Sequence, residues 1–191
     1  MVGRGEQKQK THEEILTSSV RLLRERGISG ASVAEVMKNA GLTVGGFYAH
    51  FDSKESLVAT ALRRAFRETW DVLLRAENGE PDVIRRVLKR YLSRGHRDHP
   101  ELGCVLPAVV GEATHAGEPI RDAVVDVLET WSNDLEAHLQ GDKGTRRQRA
   151  LALIALMYGG LSLARAVRGT KLSDEILEAC RQFGQASQKD S

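Results

Sequence analysis

The chain has 191 residues, of which 41% are hydrophobic and 28% charged, and its formal net charge is +2. This balance is typical of a globular protein and excludes a mainly disordered chain. Two cysteines are too few for a disulfide framework or a cysteine-rich zinc cluster. The first ten residues are polar, and the longest apolar run, 150–164, is shorter than the ~20 residues of a membrane span. We therefore expect a cytoplasmic protein with no membrane partner, no cofactor and no bound metal.

The positive charge is concentrated at the start of the chain. Residues 1–54 contain eight Lys/Arg and six Asp/Glu, whereas residues 55–191 contain 20 of each. Arg4, Lys8 and Lys10 against Glu6 account for most of the excess. The sequence predicts that residues 1–10 form a flexible basic arm, for which a solvated tail without a role is the alternative.

A first helix is predicted from the spacing of apolar residues between Ile15 and Leu23, which follows a helical period. Thr11 and Glu14 form a capping box that predicts its start, and Gly27 predicts its end. We expect this helix to pack against the elements that follow.

Two short helices, 32–40 and 43–51, come next and are separated by only about two residues. Ser32 and Glu35 form a second capping box, and Gly41 lies in the turn between the helices. A break at 52–54 then precedes a long helix from residue 55 to about 76. Two short helices joined by a tight glycine turn indicate a helix-turn-helix.

The remaining two thirds of the chain also has helical patterns, and we find no strand and no repeat. Turn signals such as those at 78–81 separate the patterns. The predicted helices are 82–95, 105–115, 119–139, 145–168 and 173–185. The fold class is therefore all-α.

The second short helix has side chains that suit a DNA duplex. Thr43 can bond a phosphate or a base edge, and its methyl group or that of Val44 can touch a thymine methyl. Gly45 and Gly46 lower helix stability by about 2 kcal/mol relative to alanine. This loss suggests that a duplex, or a tight contact inside the protein, needs the space.

Residues 11–57 resemble the DNA-binding region of TetR/AcrR-family regulators. The motif residues are Arg24, Arg26-Gly27, Ser32-Val33, Ala40-Gly41-Leu42-Thr43, Phe47-Tyr48-Ala49-His50-Phe51 and Ser53-Lys54-Glu55-Ser56-Leu57. The resemblance implies an N-terminal three-helix helix-turn-helix domain, residues 1–54, joined to a helical-bundle ligand-binding and dimerisation domain, residues 55–191. It also implies a homodimeric repressor that binds a palindromic operator and is released by a small-molecule effector. An activator or dual regulator of the same fold is the alternative.

The resemblance assigns DNA-contacting residues. It implies that Thr43, Val44, Gly45 and Gly46 lie at base edges, and that Tyr48, His50 and Lys54 contact phosphates. Ser32, at a helix N-terminus, offers a further phosphate contact. The family often has Lys, Arg or Pro near Gly45, so we expect few base contacts here and a larger share of readout from DNA shape or from the basic arm.

Effector and dimer contacts are predicted from size, aromaticity and helix position. The effector candidates are Phe66, Trp70, Tyr91, Cys104, Leu106, Val109, Trp131, Met157 and Tyr158; ordinary core packing is the alternative for each. The helix 145–168 is apolar on several faces and matches, with 173–185, the family's dimer helices. The dimer candidates are Leu153, Leu156, Gly160, Leu163, Val167, Ile176 and Cys180.

Other chemistry has weaker support in the sequence. His96, Asp98 and His99 are expected to lie in an exposed loop, and Glu112 with His115 is a single E-x-x-H pair where a di-iron bundle needs two. Cys104 precedes a predicted helix, whose dipole would favour a thiolate, so a redox or electrophile sensor is an alternative to an inert buried thiol. A helical enzyme using Tyr48 and His50 or Cys104 lacks the supporting residues, so no enzyme is expected. An adaptor protein with a vestigial helix-turn-helix is the remaining alternative.

Overall fold

A computed structural model describes residues 3–76 and 82–188, and in these ranges the only regular elements are helices. The N-terminal part contains α1 (Arg4–Gly30), α2 (Val33–Asn39), a six-residue 3-10 helix (Val44–Ala49) and α3 (Lys54–Leu74). We call Val44–Ala49 the recognition helix. The predicted all-α fold with a helix-turn-helix is confirmed.

The second part is a helical bundle. Its helices are α4 (Val83–Tyr91), α5 (Arg94–Asp98), a 3-10 turn (Pro100–Leu102), α6 (Leu106–Ala113), α7 (Glu118–Glu136), α8 (Lys143–Ala166) and α9 (Lys171–Ala186). α3 packs against both α1 and α7, and α8 packs between α7 and α9. The predicted boundary at residues 54 and 55 coincides with the first residues of α3, a helix that joins the two parts.

α1 begins seven residues earlier than the capping box at Thr11 predicted. The backbone N–H of Gly3 donates to Glu6 Oε2 at 2.8 Å, and this contact caps the helix at its true start. The expectation of a flexible arm over residues 1–10 is therefore wrong for Arg4–Lys10, which form the first turns of α1.

Gly27 interrupts α1, as predicted, because its φ of 69° and ψ of −166° are not helical. A side chain is strained at this positive φ, and a Cβ would also lie 2.8 Å from the carbonyl oxygen of Ala108 in α6. Gly27 therefore lets the chain turn where α1 meets α6.

The single helix predicted over 82–95 is two helices. α4 ends at Tyr91, and the Ser93 hydroxyl accepts the N–H of His96 at 3.1 Å, which caps α5. His96 and Asp98 therefore lie in α5 and not in a loop, and only His99 of that group is exposed. The other predicted helices are present with ends that differ by a few residues.

Among the described residues, α8 is the one helix that is long and apolar enough, by length and composition, to cross a membrane; it has 24 residues and a mean hydropathy of 1.2 over its best window. It is longer than the apolar run at 150–164 that the sequence showed. The core helix of a soluble protein has the same properties, and α8 packs in the bundle against α7 and α9.

Candidate functional site

The helix-turn-helix is held together by a small core between α2 and the recognition helix. Val36, Met37 and Phe47 are buried in it, and Phe51 and Leu57 are buried where the chain enters α3. The Ser32 hydroxyl accepts the N–H of Glu35 at 3.2 Å and so caps α2, as predicted. This core presents the opposite side of the recognition helix to solvent.

The recognition helix is a short 3-10 helix where the sequence predicted a longer segment, 43–51. Val44 is 49% exposed and Tyr48 is 73% exposed. A Cβ built on Gly45 meets nothing within 4 Å, and one built on Gly46 meets only Met37 Cε, at 3.8 Å. No tight contact among the described residues therefore requires either glycine, which leaves an external partner as the reason for the pair.

The remaining predicted DNA contacts surround this helix. Thr43 is exposed, whereas His50 and Lys54 are half-buried. Lys54 lies at the start of α3, and its charge lowers the pKa of Glu112 in α6. Lys54 therefore lies where the DNA-binding part meets the bundle.

Glu112 joins the two parts directly. Its carboxylate accepts the backbone N–H groups of Ile28 and Ser29, each at 2.8 Å, and the hydroxyl of Ser29. Burial raises the pKa of Glu112, but these hydrogen bonds outweigh burial and lower it overall. The E-x-x-H pair thus has a structural contact at its glutamate, and no group of three or more potential metal ligands occurs within residues 3–76 and 82–188.

Four of the predicted effector residues form an aromatic cluster in the bundle. The ring centroids of Trp70 and Trp131 are 5.5 Å apart, Tyr91 is 5.5 Å from Trp131, and Phe66 is 5.8 Å from Trp131. All four are buried. The cluster joins α3, α4 and α7.

Polar atoms in this cluster differ in their hydrogen bonding. The indole N–H of Trp70 donates to Asp134 Oδ2 at 2.6 Å. The indole N–H of Trp131 is buried and has no hydrogen-bond partner in the described part of the chain, and the buried hydroxyl of Tyr91 has only the Cys104 thiol as a weak partner. These two donors suit a bound molecule that carries an acceptor.

The other predicted effector residues surround the cluster. Cys104, Leu106, Val109 and Met157 are buried, and Tyr158, which is half-buried, is close enough to raise the pKa of Tyr91. A groove of about 520 Å³ lies beside them. Its lining residues are Thr69, Val72, Leu73, Lys89, Arg90, Ser93, Gly95, His96, His99, Leu102 and Gly103. None of the predicted effector residues lines the groove, although Thr69 and Gly103 precede Trp70 and Cys104 in the chain and His96 contacts the ring of Tyr91.

Cys104 does not have the environment that favours a thiolate. It is buried, and burial raises its pKa more than the Leu106 N–H, Tyr91 and Arg165 lower it. The helix begins at Leu106, two residues later, so the expected dipole effect at Cys104 is outweighed. The structure thus favours the inert thiol over the sensor.

His96 lies behind Cys104 and connects two segments. Its Nε2 accepts the N–H of Cys104 at 2.8 Å, and its Nδ1 is 2.7 Å from the carbonyl oxygen of Tyr91. Burial, with smaller contributions from Arg165 and Arg24, lowers the pKa of His96 to about 4 against the opposing hydrogen bond to Tyr91. The imidazole is therefore neutral at pH 7, with its proton on Nδ1.

The predicted dimer residues divide into two groups. Leu153 and Gly160 are buried inside the protomer, and a Cβ at Gly160 would lie 2.8 Å from Cys180 Sγ, so Gly160 and Cys180 are in contact between α8 and α9. Leu163 is 60% exposed. Leu156, Val167 and Ile176 are half-buried. The prediction that Leu153 and Gly160 face a partner therefore does not fit their burial, whereas for the half-buried Cys180 it stays a prediction.

Sequence reasoning missed several exposed apolar residues on α8 and α9. Phe183 is 68% exposed and Leu151 and Leu172 are also exposed. With Ala155, Gly159, Leu163, Ile176 and Ala179 they recur every three or four residues along the two helices. We call these eight residues the α8–α9 face. The helical period contained this signal, but the period alone does not say which side of an apolar helix is internal.

Two family models match the chain. Residues 15–61 match the model described as bacterial regulatory proteins, tetR family, and residues 81–180 match the tetracyclin repressor-like C-terminal domain. The chain is 36% identical over 176 residues to the HTH-type transcriptional regulator TtgR of Pseudomonas putida, covering 90% of this chain and 72% of TtgR. It is 28% identical to the HTH-type transcriptional repressor NemR of Escherichia coli, covering 78% of this chain and 81% of NemR.

Solved structures have the same fold. A TetR transcriptional regulator from Chloroflexus aurantiacus superposes with a TM-score of 0.77 at 22% identity, over 97% of each chain. Reduced NemR of E. coli superposes with a TM-score of 0.74 at 24% identity, over 92% of this chain and 96% of NemR. The helix-turn-helix, the bundle and both family models thus agree, and the chain belongs to the TetR family of bacterial transcription regulators.

Proposed function

We propose that this regulator is a cytoplasmic homodimeric repressor that binds a palindromic DNA operator and is released by a small-molecule effector. The proposal of DNA binding rests on the recognition helix, whose Val44 and Tyr48 are exposed to solvent. Its two glycines have no tight contact within the described residues that would require them. Thr43, Val44, Gly45 and Gly46 meet base edges in this proposal. Ser32, Tyr48, His50 and Lys54 contact the phosphate backbone.

A DNA titration tests this part. The protein is titrated into a labelled duplex from upstream of its own gene and into a random duplex of equal length, at several salt concentrations. Specific binding that weakens steeply with salt supports a backbone-contacting regulator. Equal affinity for both duplexes at every salt concentration would refute recognition of this upstream sequence. Reporter transcription in the presence and absence of the gene then separates a repressor from an activator.

The homodimer is proposed to form through the α8–α9 face. A monomeric soluble protein rarely exposes a contiguous stripe of large apolar side chains, and Leu163 and Phe183 are more than half exposed. Two-fold pairing of two helices from each protomer would cover the stripe. It would also hold two recognition helices at the fixed spacing, about 34–36 Å or a multiple, that successive major grooves require.

The effector is proposed to bind at the aromatic cluster and to reach it from the adjacent groove of about 520 Å³. The Trp131 N–H and the Tyr91 hydroxyl would donate to an acceptor on the effector. By linkage, an effector that weakens DNA binding must itself bind less tightly to the DNA complex.

The chain's two tryptophans are both in this cluster, so intrinsic fluorescence reports directly on the site. Aromatic probes such as 1-naphthol are titrated against the protein and against Trp131→Phe. A probe that changes the fluorescence, binds the variant more weakly and releases operator DNA supports the site. Release of DNA by a probe that leaves both tryptophans unaffected would locate the effector elsewhere.

A further inference from the structure

A groove of about 360 Å³ separates the N-terminal half of α1 from the end of the recognition helix. It is lined by Gly5, Lys8, Gln9, His12, Ala49 and His50. Ala49 and His50 directly follow the exposed Tyr48, so the groove adjoins the surface that the proposed function assigns to DNA. Its lining residues therefore come from both α1 and the helix-turn-helix.

The two histidines are held close together. The ring centroids of His12 and His50 are 6.0 Å apart with an interplanar angle of 43°. His12 also stacks on Phe51, at 4.6 Å and 18°, so its ring is oriented by a buried side chain. His50 Nδ1 is buried and has no hydrogen-bond partner within the described ranges. The site is thus preorganised and has an unused hydrogen-bonding atom.

The groove is basic, because no carboxylate lines it. The nearby acids of α1 are engaged elsewhere: Glu13 pairs with Arg64 at 2.7 Å, and Glu14 is 4.0 Å from Lys10. Glu6 accepts the N–H of Gly3. The groups that act electrostatically on His50 are His12 and Lys8 of α1. Asp52 and Lys54 follow His50 in the chain.

We propose that this groove binds one backbone phosphate of the DNA through Lys8, His12 and His50, and that DNA binding at this site takes up protons. The inference rests on the proposed DNA-binding function and adds Lys8, His12 and a pH dependence to it. The Gln9 amide is a further donor at the rim.

The direction of the pH dependence follows from charge. Burial, then His12, then Lys8, lower the pKa of His50 in the free protein, so the imidazole is mainly neutral at pH 7. A phosphate in the groove brings the opposite charge and stabilises the imidazolium form, which raises the pKa of His50 in the complex. A group whose pKa is higher in the complex favours binding as the pH falls. DNA affinity therefore increases as the pH falls from 8 to 6.

The contact is to the backbone, so a duplex of mixed sequence is a sufficient probe. A fluorescein-labelled 30-base-pair duplex is titrated by anisotropy at pH 6, 7 and 8 and constant ionic strength. One histidine whose pKa rises by one unit gives up to about tenfold tighter binding at the lower pH. We expect the wild-type protein to bind several-fold more tightly at pH 6 than at pH 8, and His12→Asn with His50→Asn to lose most of this difference.

Three controls make the result specific. His138→Asn changes an exposed histidine at the end of α7 and keeps the wild-type pH dependence. Lys8→Ala keeps both histidines and lowers the slope of log affinity against log salt by about one phosphate contact. His12→Asn alone, at a half-buried position of α1, gives an intermediate pH dependence if the double variant folds poorly.

A histidine titration by NMR gives a direct readout. The ring C–H resonances of His50 are followed against pH with and without the duplex, and we expect the pKa of His50 to rise on binding. Wild-type protein that binds the duplex with an unchanged pKa of His50, or with a pH dependence equal to that of the double variant, overturns the inference. Wild-type protein that binds no duplex at any salt concentration overturns the proposed function instead.

Discussion

His96 links the end of α4 to the start of α6 through two hydrogen bonds that only a neutral imidazole can make. Nδ1 donates to Tyr91 and Nε2 accepts from Cys104. A protonated ring would turn the second bond into a clash between two donors. His96, which the sequence analysis placed in an exposed loop, is therefore part of the interior.

The free energy of unfolding should depend on pH through the titration of His96. Its pKa falls from 6.5 to about 4 on folding, so the unfolded chain binds more protons between these values. This contribution is fully present above pH 6.5 and is lost as the pH falls towards 4, by an amount of up to about 3 kcal/mol. Urea denaturation from pH 7 to pH 4.5 measures it.

The matched variant for this experiment is His96→Gln, which keeps a polar side chain and does not titrate. We expect it to be less stable than wild type at pH 7 and to lose less free energy of unfolding on acidification. Parallel pH curves for the two proteins would show that His96 does not set this dependence.

Gly45→Ala separates folding from DNA binding. A methyl group at Gly45 meets no atom within 4 Å, and its φ is not positive, so alanine should raise the free energy of unfolding by about 0.5–1 kcal/mol. If the glycine exists for close approach to a duplex, the same methyl group weakens DNA binding. Chemical denaturation and anisotropy measure the two effects.

Gly111→Ala in α6 is the control, because its Cβ also meets nothing within 4 Å. It should keep wild-type DNA affinity. Unchanged affinity in Gly45→Ala would remove the close-approach argument for the recognition helix.

At the scale of whole helices, local chemistry predicted some boundaries well and others badly. The Ser32 cap and the break before α3 depend on residues three positions apart, and both are observed. The predicted start of α1 at Thr11 is wrong, because the same residue pattern is equally compatible with a helix interior. The division of α4 from α5 depends on Ser93 competing with the helical pattern, which periodicity does not reveal.

The contact of α6 with the end of α1 could not be predicted, because Glu112 lies 83 and 84 residues from its partners. Glu112→Ala leaves the N–H groups of Ile28 and Ser29 without this acceptor. We expect a loss of about 1–2 kcal/mol in the free energy of unfolding, at the lower end for charged hydrogen bonds because Ser29 is exposed. Thermal and urea denaturation measure it.

Glu175→Ala is the comparison for Glu112→Ala. Its partner Lys171 is 3.1 Å away and both side chains are mostly exposed, so little stability should be lost. Equal losses in the two variants would mean that the α6–α1 contact is no stronger than a surface ion pair. DNA affinity of Glu112→Ala then reports whether the contact also orients the helix-turn-helix.

At the scale of the molecule, the sequence indicated that α8 and α9 are apolar helices, but it did not show which side of each helix is buried in the protomer and which is exposed. Leu153 and Leu163 are both apolar residues of α8, yet the first is buried and the second is 60% exposed. The difference is set by where α7 and α9 pack, which is tertiary information. The effector candidates Phe66, Trp70, Tyr91 and Trp131 do lie together, because large aromatic residues are buried in almost any arrangement of a bundle. Their role in binding an effector stays a prediction.

Phe183→Glu tests the assembly. A carboxylate on the α8–α9 face should prevent pairing of the two protomers, since an unpaired charge cannot be buried without a large penalty. We expect a dimer to become a monomer in light scattering after size exclusion, with operator affinity reduced at least tenfold because one half-site contact is lost. Val125→Glu, on the exposed side of α7, should remain dimeric. A dimeric Phe183→Glu variant would place the interface elsewhere.

α3 connects the recognition-helix end of the molecule to the aromatic cluster. Its 21 residues give a rod of about 31 Å, with Lys54 at the recognition-helix end and Trp70 in the aromatic cluster near the other end. A tilt of about 5° in such a rod moves its far end by about 3 Å, which is as long as a hydrogen bond. If the effector binds at the aromatic cluster and the recognition helix meets base edges, as proposed above, such a tilt is geometrically sufficient to break a base contact. The amplification comes from the length of one helix and needs no change in which residues form the core.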